Sequence, residues 1–169
     1  KKAIKKIKKA VSMRPQDPYL NIALGRICFM AGKYKEAETS LLEIENLEEY
    51  GPEGLFYLAR SRMAAGDCKG AISALESLHE KFPDHKHALY FLGQCMGEQG
   101  RLDEAHYYLG MHYSRNNDFE NARFHFRQAM EKTDDITLEK KISKETDKLR
   151  EREKDQKHRQ QEEENRSSY

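Results

Sequence analysis

The chain has 169 residues, 35% of them charged and 37% in the hydrophobic set, and its 30 basic and 29 acidic side chains leave a formal net charge of +1. That length suits one folded domain, the polarity suits an elongated fold or a folded part with a solvated tail, and the near balance of charge gives no general attraction to nucleic acid or membrane. No apolar run approaches the ~18 residues of a membrane span, no signal-peptide pattern follows the basic start, and Cys28, Cys68 and Cys95 lack metal-like spacing.

From the start of the chain, Ala3, Ile7, Ala10 and Pro15 have the spacing of the second helix of a helical hairpin whose first helix is missing. Residues 1–17 are therefore expected to be the second helix of a truncated repeat, in a chain that begins in mid-repeat. Lys1, Lys2, Lys5, Lys6, Lys8 and Lys9 surround that apolar stripe and read as a solvated outer face.

Gly32, Gly66 and Gly100 follow at intervals of 34 residues, each with an alanine five residues later (Ala37, Ala71 and Ala105) and a Leu-small pair before it (Leu24-Gly25, Leu58-Ala59 and Leu92-Gly93). Each column has a physical reason. The glycine ends a helix in the left-handed region. The small residues let neighbouring helices approach closely. Leu41, Leu75 and Leu109, on the same face as the alanines, are expected to fill the hairpin interiors. Pro83 stops a second helix. Toward the end, Leu109-Gly110, Asn117, Ala122, Phe126 and Ala129 repeat the pattern shifted by 17 residues, with asparagine in the glycine column. The segment from Leu102 to Arg115 thus closes one hairpin and carries the surface of a first helix for the next. The spacing predicts helices over about 2–13, 19–31, 34–47, 53–65, 68–81, 86–99, 102–115 and 118–132.

These columns resemble the tetratricopeptide repeat family. The resemblance implies an all-α fold, a right-handed superhelix of antiparallel hairpins, with repeats over 18–51, 52–85 and 86–117. A helix in half-shifted register follows over 118–135, and a charged C-terminal helix or tail over 136–169. Asn21, Leu55 and Leu89 stand where a Trp is common in the family, and Glu49 replaces the usual proline. Between Glu139 and Glu164, 18 of 26 residues are charged, nine of each sign, with Ile142 and Leu149 the only aliphatic ones. This helix is expected to pack through Ile136, Leu138 and Ile142 and then to project, supported by i,i+4 charge pairs.

The family also implies a function, the binding of a protein or peptide segment against the first helices. The lining positions are Tyr19, Ile22, Arg26 and Phe29 in the first repeat, Glu53, Phe56, Arg60 and Met63 in the second, and His87, Tyr90 and Gln94 in the third. Arg26 and Arg60 share one column flanked by aromatics, which suits a segment with apolar anchors and a carboxylate or carbonyls for the arginines. Ile22, Tyr57, His87 and Phe91 occupy the places where the family's clamp for a C-terminal carboxylate needs polar or basic residues, so a chaperone-tail receptor is not expected.

Motifs for chemistry are missing. His79-Glu80 is followed by Lys81-Phe82-Pro83 rather than by a second zinc ligand, and His85-x-His87 has no third ligand in sequence. His106, His112 and His125 read as packed or surface histidines, and the cysteines as core residues. No catalytic residue, metal or cofactor is expected in this chain. A nucleic-acid-binding repeat is disfavoured for want of a continuous basic stripe.

The stretch from His106 to Met130, with its half-period shift and the charged helix after it, is similar to the C-terminal repeat region of the BepA-like bacterial zinc metallopeptidases. That resemblance implies the substrate- or partner-recruiting part of an envelope protease whose catalytic domain precedes Lys1. A stand-alone adaptor in a multiprotein assembly is the alternative.

Overall fold

The computed structural model describes residues 2–167, with side chains as far as residue 163. Lys1, Ser168 and Tyr169, at the two ends of the predicted segments, lie outside the described residues. Among the described residues the chain is all-α, with nine α-helices, one short 3-10 helix and no strand. No described helix is long and apolar enough to cross a membrane. Two compact units meet in sequence between Gln99 and Gly100, a division that falls within the repeat predicted over 86–117.

The first unit holds α1 (Lys2–Met13), α2 (Pro18–Met30), α3 (Tyr34–Leu42), α4 (Pro52–Ala64), α5 (Cys68–Lys81) and α6 (Ala88–Glu98), with a 3-10 turn at Leu47–Tyr50 between α3 and α4. Helices α2 with α3 and α4 with α5 pair as hairpins; α3 also packs on α4, α5 on α6, α1 on α2 and α2 on α4. Local chemistry sets the helix starts. The Asp17 side chain accepts from the Leu20 N–H with Pro18 opening α2, and Asp67 does the same for Gly70 at the start of α5. Asn21, which stands where the family favours Trp, is buried and its Nδ2 donates to the carbonyls of Pro15 and Asp17, at 2.9 and 3.2 Å, fastening the α1–α2 turn.

The hairpin interior is built on close approach. A β-carbon on Gly25 would stand 2.6 Å from Leu41 Cγ, so α2 and α3 can meet at this distance only because position 25 has no side chain. Leu41 and Leu75 are fully buried, as the periodicity predicts.

One element departs from the expected bounds. The helix predicted over 34–47 ends at Leu42, because Asn46 turns left-handed (φ 50°) and Leu47 begins the 3-10 turn. Leu47 is buried against α4, where a β-carbon on Gly54 would lie 2.5 Å from its Cδ1. An apolar residue that reads as a continuation of α3 is instead a plug for the next hairpin.

The second unit holds α7 (Leu102–Arg115), α8 (Phe119–Lys132) and α9 (Ile136–Ser167). Helices α7 and α8 pair as a hairpin, and α9 packs on both. Asn117, in the glycine column, has φ 58°, beside 72°, 82° and 76° for Gly32, Gly66 and Gly100, so it makes the same left-handed turn. Gly110 and Phe126 stand in the same relation as Gly25 and Leu41, with the would-be β-carbon 2.6 Å from Phe126 Cδ1. Leu109 is only half-buried, since α7 turns Gly110 toward α8.

Two expectations for the last helix need correction. Ile136 is exposed, at its first turn, and does not help to dock it. Leu149, beyond the stretch expected to pack, is fully buried in one cluster with Leu138, Ile142, Ala122, Phe126 and Ala129. Leu138, Ile142 and Leu149 are spaced four and seven residues apart and therefore share one face of α9. Three apolar residues on a single stripe are enough to dock about three turns of a helix that is otherwise charged.

Candidate functional site

Within the first unit, α2, α4 and α6 place their aromatic and basic residues in one row. Phe29, near the end of α2, has its ring centroid 5.5 Å from that of Tyr57 on α4 and 5.7 Å from Tyr34. Phe56 on α4 lies 6.1 Å from Phe91 on α6, and 5.1 and 6.3 Å from the His85 and His87 rings that precede α6. The Arg60 guanidinium lies among these rings, with its central carbon 4.2 Å from the Phe91 centroid and 5.7 Å from the Phe29 centroid. Both distances are within the range of attraction between a cation and a ring face.

Arg60 Nε is buried and has no hydrogen-bond partner among the described residues. A buried donor left unpaired costs roughly 1–3 kcal/mol, so an incoming acceptor has that much to recover. Arg26, its predicted column partner, differs. It is half exposed and paired to Glu53 across the α2–α4 interface at 2.7 Å. One arginine of the column is therefore internally neutralised, and the other is held between two rings with its Nε unpaired among the described residues.

Of the remaining predicted positions, Met63 is half-buried one turn beyond Arg60, and Gln94 is exposed with its Nε2 donating to the Tyr90 hydroxyl at 3.3 Å. Tyr90 packs its ring on Phe91 at 5.5 Å. Tyr19 is exposed and stands apart, its ring meeting Tyr50 edge-on at 5.8 Å. Ile22 does not line an open surface. It is 4% exposed and faces the Gly54 position, because the close α2–α4 packing that Gly54 permits covers it.

Sequence reasoning did not count Tyr57, His85 or Phe91 among the lining residues, although Tyr57 and Phe91 stand at the places of the family's carboxylate clamp. A signal for two of them was present. Phe56-Tyr57 and Tyr90-Phe91 are aromatic pairs 34 residues apart, so a residue beside each lining position recurs in the same column. His85 carries a buried, unpartnered Nδ1, and burial together with the adjacent His87 pushes its pKa down. Arg62, which the sequence reading passed over, donates to Glu38 at 2.7 Å and to the Gly70 carbonyl at 2.8 Å, clamping α3, α4 and α5 behind the row.

Of the histidines of the second unit, His106 and His125 are packed and His158, on α9, is exposed. His106 and His125 bring their Nδ1 atoms to 2.9 Å across the α7–α8 hairpin, and His125 stacks parallel to Tyr113 with centroids 5.2 Å apart.

A protein of this build is a helical-hairpin repeat with an aromatic and basic inner row. Comparison with known proteins adds the family of the repeats. Residues 62–112 and residues 103–135 each match a tetratricopeptide repeat model, so that stretch of the chain carries tetratricopeptide repeats. No curated protein matches it in sequence. Among solved structures it is similar to MamA, at 21% identity over 92% of this chain and 90% of that one, with a TM-score of 0.65. The C-terminal part of a repeat-containing protein from Cytophaga hutchinsonii gives 14% identity over 90% and 67% of the two chains, with a TM-score of 0.57. A tetratricopeptide repeat protein of Thermus thermophilus gives 17% over 84% and 88%, with a TM-score of 0.52. At these identities the likeness establishes the fold. Neither the repeat models nor these structures support the resemblance of residues 106–130 to the BepA-like metallopeptidases.

Proposed function

We propose that the row on α2, α4 and α6 binds a segment of another protein, with Arg60 pairing a carboxylate or backbone carbonyl of that segment. Apolar side chains of the partner pack on Phe29, Phe56, Met63 and Tyr90, and His87 and Gln94 flank the segment with polar contacts. The observation that carries this reading is Arg60: a cation lodged between two rings, with a buried Nε that has no hydrogen-bond partner among the described residues. Interaction sites concentrate their energy in such aromatic and arginine anchors.

The test is selection of displayed random peptides on the native chain, followed by re-binding to Arg60→Met and to Lys154→Ala, which alters an exposed residue of α9. Peptides with acidic residues near apolar anchors should be enriched and should lose at least tenfold in affinity on the first variant only. Peptides indifferent to Arg60→Met would remove the proposal.

The narrower reading, a recruiting region of a bacterial envelope metallopeptidase, rests on residues 106–130, the half-period shift and the charged helix after them. A His-Glu-x-x-His segment encoded upstream in the parent gene would support it; further 34-residue repeats in its place would leave a stand-alone adaptor.

A further inference from the structure

The three cysteines are all buried, but they are not alike. Cys28 lies in an apolar cluster with Leu24 and Ala37, covered by Ile7, Val11 and Phe29. Cys68 opens α5, Cys95 lies one turn from the end of α6, and the two sulfurs are 2.7 Å apart across the α5–α6 contact. Reduced sulfurs in van der Waals contact stand well beyond this distance, and a bonded pair stands at about 2.05 Å. The repeat does not demand such a pair. Thirty-four residues earlier the same two slots hold Tyr34 and Ser61.

We infer that Cys68 and Cys95 form a reversible disulfide when the chain meets a small peroxide-class oxidant, joining α5 to α6. In the first step a thiolate attacks a peroxide oxygen, the O–O bond breaks, and hydroxide leaves with the sulfur oxidised to a sulfenic acid. The second sulfur then attacks that sulfenic sulfur, the S–O bond breaks, and water leaves. Two thiols and one hydrogen peroxide give one disulfide and two waters, with both electrons coming from the sulfurs. Burial raises the pKa of both thiols, with Glu98 nearby adding to the effect, so little thiolate is present and the reaction is slow beside that of an exposed cysteine. The linked helix α6 carries Tyr90 and Phe91, so the bond fixes one wall of the row around Arg60.

The experiment is peroxide oxidation of the native chain, quenching by alkylation in denaturant, and a non-reduced peptide map. The expected product is the Cys68–Cys95 linked peptide pair, lighter by two hydrogens and abolished by dithiothreitol, with Cys28 recovered alkylated. The oxidised chain should also melt roughly 5–10 °C higher, as expected for closing a loop of this length. Separate sulfinic acids at the two positions, recovery of both as free thiols, or pairing with Cys28 in similar yield would overturn the inference.

Discussion

The guanidinium carbon of Arg60, on α4, lies 4.2 Å from the centre of the Phe91 ring, on α6, while its Nε is buried without a hydrogen bond. Two opposed contributions follow. The ring contacts stabilise by about 0.5–1 kcal/mol each, and the unpaired donor costs a comparable amount. Arg60→Met, which retains an apolar stem, should therefore shift unfolding stability by less than about 1 kcal/mol, measured by urea titration. The same variant should lose partner binding. Arg26→Ala breaks only a half-exposed ion pair, and its stability should also stay within about 1 kcal/mol of the parent.

Gly25 and Leu41 give a prediction of the opposite sign from helix propensity. Alanine at 25 gains about 1 kcal/mol in propensity, but its β-carbon would stand 2.6 Å from Cγ of the fully buried Leu41, so the helices or that side chain must shift. Gly25→Ala should destabilise by about 1–3 kcal/mol. Leu41→Ala in the same chain should offset part of that clash, so a double-mutant cycle should show a coupling of at least about 0.5 kcal/mol.

The repeats were legible because each rests on residues with few alternatives: a left-handed turn at 32, 66, 100 and 117, and a small residue wherever two helices touch. Leu47 was not legible. An apolar residue after a helix reads as more helix unless the left-handed turn at Asn46 is known. Nor was the docking of Leu149, because its nearest apolar neighbour on the helix is a full seven residues away and its burial depends on Phe126 from another helix. At the candidate site, sequence placed Phe29, Phe56 and Arg60 in one row but put Ile22 on its surface. Period alone gives the face a residue points to, and not whether the next helix covers it.

Leu149→Ala tests how α9 is held. The side chain is fully buried in the α8–α9 cluster, and its truncation should cost about 2–5 kcal/mol. Lys154→Ala, on the exposed part of the same helix, should be neutral to within about 0.5 kcal/mol. Thermal melts followed by circular dichroism distinguish the two.

The pH dependence should have two windows. Burial lowers the pKa of His106 and His125 below 6.5, with Lys132 adding to the effect at His106 and His106 adding to it at His125. Protons then bind the unfolded chain more readily, so this stability is complete above pH 6.5 and declines as the pH falls below it. The carboxylates work lower. Glu36, held down to about 2 by Lys33 and Lys8, and Glu153, held down by Arg123 and Lys157, contribute above pH 4.5 and lose their contribution as the pH falls below that value. The Tm should fall between pH 7 and 5.5, and replacing both histidines by glutamine should reduce that fall to the part due to His85, whose pKa is also lowered, while leaving the acidic segment.

The central claim, that a partner lies along α2, α4 and α6, is tested most directly by site-specific photo-crosslinking. A benzophenone amino acid at Gln94, exposed beside Tyr90, is compared with one at Glu76, exposed on α5. On irradiation in cells the account predicts a discrete adduct from position 94 that disappears with Arg60→Met, and none from position 76. An adduct from position 76 alone, or one from position 94 that survives Arg60→Met, would contradict it.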